Sequence, residues 1–312
     1  MINKRKEIMK VNKKTGGNKN RLFSVKKEEW KLYLLLVCFA VSVVMLITDG
    51  LKRQKEEKAF AKQQQELQQQ KLQQQQLKEQ LQIQKEPQQQ EQLNGATKAE
   101  ATAQKLQILP EYQMLYHKNQ DIVGWLSIKD TKIDYPVMQT MEEEQYYLNK
   151  NFAKEEDNMG CLILDTESKV GLGSRESGYQ EGDPPSTNLI IHGHNTISGA
   201  MFGELDLYND EAYGKEHQII CFDSLYEKRT YELIAVFYSR VYYQHENVFK
   251  YYQFFQANTR KEFESWYRNI KKLALYDTGV SAEFGDEFIT LSTCAYHVED
   301  GRLVVVGKRI TE

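Results

Sequence analysis

Two short stretches hold residues that could do chemistry together. The first, "NLIIHGHN" at 188–195, closes an apolar run with His192, Gly193, His194 and Asn195. The second, "ITLSTC" at 289–294, closes a similar run with Cys294; after "AYHVEDG" the chain resumes with Arg302 at the head of "RLVVVGKRI". In an extended segment Phe288, Thr290, Ser292 and Cys294 share one face, and Ile289, Leu291 and Thr293 share the other. If residues 295–301 close a hairpin symmetric about Val298, residue 294 falls opposite residue 302, within side-chain reach across the ladder. A guanidinium beside a thiol favours the thiolate and can stabilise an oxyanion forming on an attacked carbonyl. The spacing therefore suits a nucleophile with an electrostatic partner.

A thiol nucleophile also needs a proton acceptor or a counter-charge, because only a few per cent of free cysteine is ionised near pH 7. Six histidines are available. His117, His217 and His245 carry no further signal, and His297 sits in the hairpin loop itself. His192 and His194 end an apolar strand, where Gly193 permits a sharp exit that lets the next imidazole project from the sheet rim. Spacing alone does not separate a catalytic His–Cys pair from two ordinary strand-end histidines. No carboxylate or third histidine stands at matching spacing, so no metal site is expected. Asp165 in "LILDT" reads as a turn cap, with an orienting acid as the alternative. The other cysteines, Cys38, Cys161 and Cys221, are too scattered for a disulfide framework or a zinc site. Cys161 and Cys221 read as buried thiols, and a bridge between them stays open.

The elements that must position these residues are short. "KIDYPVM", "GCLILD", "TNLIIHGH", "HQIICFD", "RTYELIAVFYSRVYY", "EFITLSTC" and "RLVVVGKRI" are β-rich and separated by turn-rich pieces such as "GLGSRESGYQEGDPPST". Strands punctuated by turns, with few helices between them, predict a mainly β, antiparallel barrel with accessory helices. Leu106, Leu109, Tyr112, Leu115 and Tyr116 have helical spacing before the first strand. A second helix is expected in 258–277, with Phe263, Trp266, Tyr267 and Ile270 on one face. "GAMFGELDLYND", after the histidines, also reads as helical.

Not all of the 312 residues belong to that core. Residues 1–31 hold eleven Lys or Arg against three acids, and residues 32–48, "LYLLLVCFAVSVVMLIT", are seventeen residues without a charge. A run of that length is at the short end of a membrane-spanning helix, and the basic flank places residues 1–31 in the cytoplasm. No small-residue cleavage pattern follows, so an uncleaved signal anchor is expected, with the rest of the chain outside the membrane. Topology accounts for the basic arm, and no nucleic-acid partner is expected. Residues 49–96 are dominated by Gln, Lys and Glu. Leu67, Leu72, Leu77 and Leu81 do not step by heptads, so a solvated, partly helical spacer is expected rather than a coiled coil. Residues 97–312 are then expected to form the globular domain, long enough for one sizeable core.

Together, "NLIIHGHN", "ITLSTC" and "GRLVVVGKRI" resemble the three catalytic blocks of the sortases, the cysteine transpeptidases of Gram-positive bacterial surfaces. "NQDIVGWLSIKDTKIDYPVMQ", "EQYYLNKNF" and "GCLILDTES" resemble the amino-terminal part of class B sortases, and the helix near 258–277 also suits that class. The resemblance covers roughly residues 105–312 and leaves out the Gln-rich segment. It implies a closed β-barrel of about eight strands, with an N-terminal helix and an extra helix before the last strands. It also implies His194, Cys294 and Arg302 as catalytic residues, with Ser292 and His192 lining the substrate groove, and no metal or organic cofactor. The implied partners are secreted proteins bearing a C-terminal sorting signal and an amine of a peptidoglycan precursor, met at the lipid bilayer through residues 32–48.

A papain-like peptidase fits less well, since its nucleophile precedes its histidine and here His194 comes first. A membrane-tethered scaffold or adhesion protein with an incidental thiol is the alternative from another class. A pilin-polymerising sortase would differ only in the acceptor amine.

Overall fold

A computed structural model describes residues 18–89, 106–180 and 182–310. Residues 1–17 of the basic segment and the expected domain boundary at Thr97 fall outside the described residues. The chain divides into two units, residues 1–59 and 60–312. In the first, helix α1 (Asn18–Gln89) begins, and its apolar stretch, including Leu34, Leu35, Phe39 and Leu46, is exposed. Among the described residues this is the one helix long and apolar enough to cross a membrane.

The second unit opens with the remainder of α1, followed by α2 (Pro110–Lys118) and a set of strands. These are β1 (Ile122–Ile128), β2 (Asp134–Met138), β3 (Leu162–Leu164), the small hairpin β4 (Gly173–Ser174) and β5 (Gly178–Tyr179), and β6 (Asn188–Gly193). Helix α3 (Glu211–Glu216), β7 (Ile219–Ser224) and β8 (Lys228–Arg240) follow, then α4 (Arg260–Leu273), β9 (Phe288–Cys294) and β10 (Gly301–Arg309). Eight strands close into a barrel in the order β1-β2-β3-β6-β9-β10-β8-β7, with β7 returning to β1. The mainly β barrel with accessory helices is as expected, but it is not wholly antiparallel: β2 pairs with β3, and β6 with β9, in parallel.

Burial explains the composition of the central strands. "NLII" in β6 and "FITLST" in β9 are buried on both faces, so the alternation of a half-exposed strand is replaced by near-continuous apolar residues. Ile289, Leu291, Leu303 and Val305 belong to the main core, while Phe288, Val304 and Val306 pack outward against Phe263, Trp266 and Ile270 of α4. Helix α4 starts at a capping box: the Thr259 hydroxyl accepts from the Glu262 amide, and the Glu262 carboxylate accepts from the Thr259 amide. The expected helix after the histidines forms as a 3₁₀ segment, Gly203–Asn209, before α3.

The Gln-rich segment departs from a solvated spacer. Within the second unit Phe60, Gln64 and Leu67 are buried. The Phe60 ring meets Tyr135 at 6.0 Å between centroids, and Gln68 Nε2 donates to the Asp134 carbonyl at 3.0 Å. Lys71 Nζ stands 4.6 Å from the Trp125 ring centroid, and burial pushes its ammonium below the usual lysine range. Positions 60, 64, 67 and 71 form one helical stripe. Leu72, Leu77 and Leu81 are on the exposed side.

Candidate active site

Strand direction assembles the site. Because β6 and β9 run parallel, with His192 beside Ser292 and Gly193 beside Thr293, both leave the barrel at the same rim. His194 exits β6 where Cys294 ends β9. Strand β10 returns antiparallel, and its register sets Arg302 directly opposite Cys294, the pairing expected from the hairpin spacing. The side chains of His192, His194, Ser292, Cys294 and Arg302 all border one groove of ≈ 460 Å³, whose other walls include Glu144, Leu148, Asp165, Val241 and Tyr251.

Each side chain is held differently. His194 Nε2 lies 2.7 Å from the Leu148 carbonyl. A carbonyl only accepts, so Nε2 carries the proton of the neutral ring and Nδ1 is the nitrogen left for exchange. Cys294 is half-buried and, like the other three cysteines, it is unbridged, which leaves Cys161 and Cys221 as separate thiols. Burial pushes both of those thiols up, as suits inert packing groups. Arg302 Nη1 donates to the carbonyls of Gly301 at 2.9 Å and Asp300 at 3.2 Å. No ion pair is seen at Arg302 among the described residues, so its charge is available to the groove.

Ser292 borders the groove but is almost wholly buried, and its hydroxyl pairs with Tyr251 Oη at 2.7 Å. Burial pushes the Tyr251 phenol up to about 12, so it stays a neutral hydrogen-bonding group. Tyr251 carried no sequence signal, being one aromatic among several in "FKYYQFF". Gly193 serves differently from the expected sharp exit. A Cβ there would lie 2.5 Å from the Leu162 side chain and 2.7 Å from the Phe202 ring, so it is lack of space that demands glycine. Asn195 is a further omission. Its Nδ2 donates to Asp206 Oδ2 and to the Cys294 carbonyl, both at 2.8 Å. An amide directly after a strand-end histidine was the signal that could have found it.

Asp165 does both of the things considered for it, but not for His194. Its Oδ1 caps a turn by accepting from the Glu167 amide, and its Oδ2 faces His192 Nε2 at 3.4 Å. Glu144 completes a group in which one donor atom from each of Glu144, Asp165 and His192 lies within 4.8 Å of the others. These are the described residues that could hold a cation, rather than a His192–His194 pair. Burial, with the Asp165 charge behind it, pushes the Glu144 carboxyl up.

Comparison with known proteins points one way. No protein-family model matches the chain. Sortase B of Listeria monocytogenes is 29% identical over 208 residues, covering 66% of this chain and 76% of its own. A crystal structure of sortase B from Bacillus anthracis in complex with AAEK2 superposes with a TM-score of 0.55 at 28% identity, covering 69% of this chain and 89% of that one. A Staphylococcus aureus sortase B–substrate complex gives 0.54 at 25% identity, covering 65% and 86%.

Proposed function

We propose that this chain, a class B sortase by its sequence relatives and its fold and hence a cysteine transpeptidase, uses Cys294 as nucleophile, His194 as proton carrier and Arg302 as oxyanion partner. The substrate is a secreted protein with a C-terminal sorting signal. The Cys294 thiolate attacks a threonine carbonyl in that signal, and the Arg302 guanidinium draws the negative charge that gathers on its oxygen. As the C–N bond breaks, His194, in its imidazolium form, gives a proton to the departing amine, and a thioacyl enzyme remains. An amine of a cell-wall precursor then attacks the thioester, loses its proton to His194 and expels the Cys294 thiolate. Water in place of that amine gives hydrolysis.

Residues 32–48 serve as a single-pass anchor with the N-terminus cytoplasmic and the catalytic domain outside, which brings the enzyme to both translocated substrate and lipid-linked acceptor. Ser292, through Tyr251, and His192, through Asp165, line the groove that receives the peptide. The observation that carries the reading is the register of Arg302 opposite Cys294 at the rim where His194 emerges.

Full-length protein in detergent micelles, wild type beside Cys294→Ala, tests it. Each is incubated with a panel of sorting-signal peptides, with and without a cross-bridge amine, and followed by mass spectrometry. The expected result is a thioacyl adduct on Cys294 and an amine-dependent product, both absent from the variant. Folded wild type giving neither adduct nor cleavage across the panel would sink the reading.

A further inference from the structure

The parallel pairing of β6 with β9 stops at Gly193 and Thr293. One residue later the chain carries its nucleophile, at a point where that ladder no longer supports it. Two side chains extend the seam. Thr293 Oγ1 donates to the Gly193 carbonyl at 2.8 Å. Asn195 reaches across and donates to the carbonyl of Cys294 itself. On the other side, the Ala295 amide donates to the Gly301 carbonyl at 2.9 Å. The peptide unit that follows the Cys294 α-carbon is thus gripped on both sides, by the backbone of β10 and by the side chain of Asn195 just beyond the end of β6.

The amide of Asn195 has one sensible orientation. Both of its N–H groups are spent on acceptors, the Asp206 carboxylate and the Cys294 carbonyl. Turning the amide over would set its oxygen against those same two acceptors. Asp206 belongs to the 3₁₀ segment Gly203–Asn209. The loop between is closed by the Phe202 amide on the His194 carbonyl at 3.0 Å and by a bridge between Asn195 and Met201. Asn195 is bonded covalently to His194, so the same small loop that carries the imidazole holds the nucleophile's main chain.

We propose that Asn195 is a positioning residue: anchored by Asp206, it clamps the Cys294 carbonyl and fixes the thiol relative to His194. This rests on the reading of Cys294 as nucleophile. Attack requires the sulfur at a set distance and angle from the scissile carbonyl, and a misplacement of about 1 Å costs about 100-fold in rate. Loss of the clamp should therefore fall on the chemical step and spare peptide binding, because Asn195 is not among the residues that line the groove.

The test uses the full-length chain in detergent micelles with the peptide that acylates the wild type. Asn195→Ala, Asn195→Asp, Asp206→Ala and Asp206→Asn are compared for kcat, KM and melting temperature. Asn195→Ala should lower kcat by about 10- to 100-fold with KM within about threefold of wild type. Asn195→Asp keeps the shape but turns two donors into acceptors, and should lose more than Asn195→Ala. Asp206→Ala should lose part of the rate, while Asp206→Asn, whose new amide oxygen still accepts from Asn195, should recover most of it. A kcat for Asn195→Ala within twofold of wild type would overturn the clamp, as would Asp206→Asn being as damaged as Asp206→Ala. Should Asn195→Ala lose its cooperative melt, Asp206→Ala decides, and a wild-type kcat there refutes the proposal. An inactive wild type removes the nucleophile itself and the clamp with it, an outcome distinct from an active wild type with indifferent variants.

Discussion

Phe60→Ala and Leu67→Ala should destabilise the catalytic unit, although both residues sit in what composition reads as spacer. Phe60 is 3% exposed and Leu67 5% exposed. Buried Phe→Ala and Leu→Ala changes cost about 3–5 and about 2–5 kcal/mol in protein cores. A single helix lying on a barrel can settle into part of the space left, so the lower end of each range applies, about 3 kcal/mol for Phe60 and about 2 kcal/mol for Leu67. In a unit of this size 1 kcal/mol moves Tm by about 2–4 °C, which gives about 6–12 °C for Phe60→Ala. The assay is thermal unfolding of the full chain in detergent, followed by intrinsic tryptophan fluorescence, to which the buried Trp125, beside Lys71, and Trp266 both contribute. Leu72→Ala is the internal control, since Leu72 is 54% exposed on the same helix and should change stability by less than about 0.5 kcal/mol. If all three substitutions fall within that margin, the stripe is not packed and the segment is a solvated spacer after all.

Two further outcomes follow from the site and its support. Tyr251→Phe leaves the buried Ser292 hydroxyl without its partner and should cost about 1–3 kcal/mol, while the pair Tyr251→Phe with Ser292→Ala should cost less than the sum; strict additivity in a urea-denaturation cycle would contradict the coupling. At the opposite end of β10, burial works against the Glu287 carboxylate, but hydrogen bonds from Arg175 and Arg309 outweigh it and hold its pKa below the ordinary 4.5. The unfolded chain then binds the extra proton first, so this stabilisation is present above pH 4.5 and is lost as pH falls through the lowered value. Glu287→Gln should therefore be less stable than wild type at neutral pH, with the gap narrowing in acid; a gap that does not change with pH in urea titrations would count against it.

How far the sequence could be read depended on whether a contact is local. The hairpin that sets Arg302 opposite Cys294 spans a few residues, and strand periodicity fixes its register. The α4 face was legible for the same reason: of the four residues that spacing predicts on it, Phe263, Trp266 and Ile270 are buried and Tyr267 is half-buried. Contacts between segments far apart left no such mark. Asp165 reaches His192 from just past the end of β3, Tyr251 reaches Ser292 from a short 3₁₀ helix, Tyr251–Gln253, and Glu144 joins the groove from a turn; each residue looks ordinary in its own window. In the Gln-rich segment attention to leucines hid the stripe, because it is formed by Phe60, Gln64, Leu67 and Lys71, of which two are polar. A long polar side chain can cover apolar surface with its stem, and hydropathy does not register that.

The parallel pairing of β6 and β9 explains both the site and the hundred residues between His194 and Cys294. Antiparallel neighbours end at opposite rims, so a histidine and a cysteine that each terminate a strand would lie a strand length apart. Parallel neighbours end at the same rim, but the chain must first travel back, and that return needs a crossover. Here the return consists of the 3₁₀ segment, α3, β7, β8 and α4, which also complete the barrel wall and cover its outer face. Arg302 needs the reverse arrangement: to share the rim it must begin a strand, and the antiparallel hairpin from β9 to β10 supplies that directly. One parallel seam and one hairpin thus suffice to gather three side chains from 188–302. The weak point is the parallel seam, whose backbone ladder stops one residue short of Cys294. A side-chain clamp is needed there and not at the hairpin, where the Ala295 amide already bonds to the Gly301 carbonyl, and Asn195 occupies the position from which that clamp can be made.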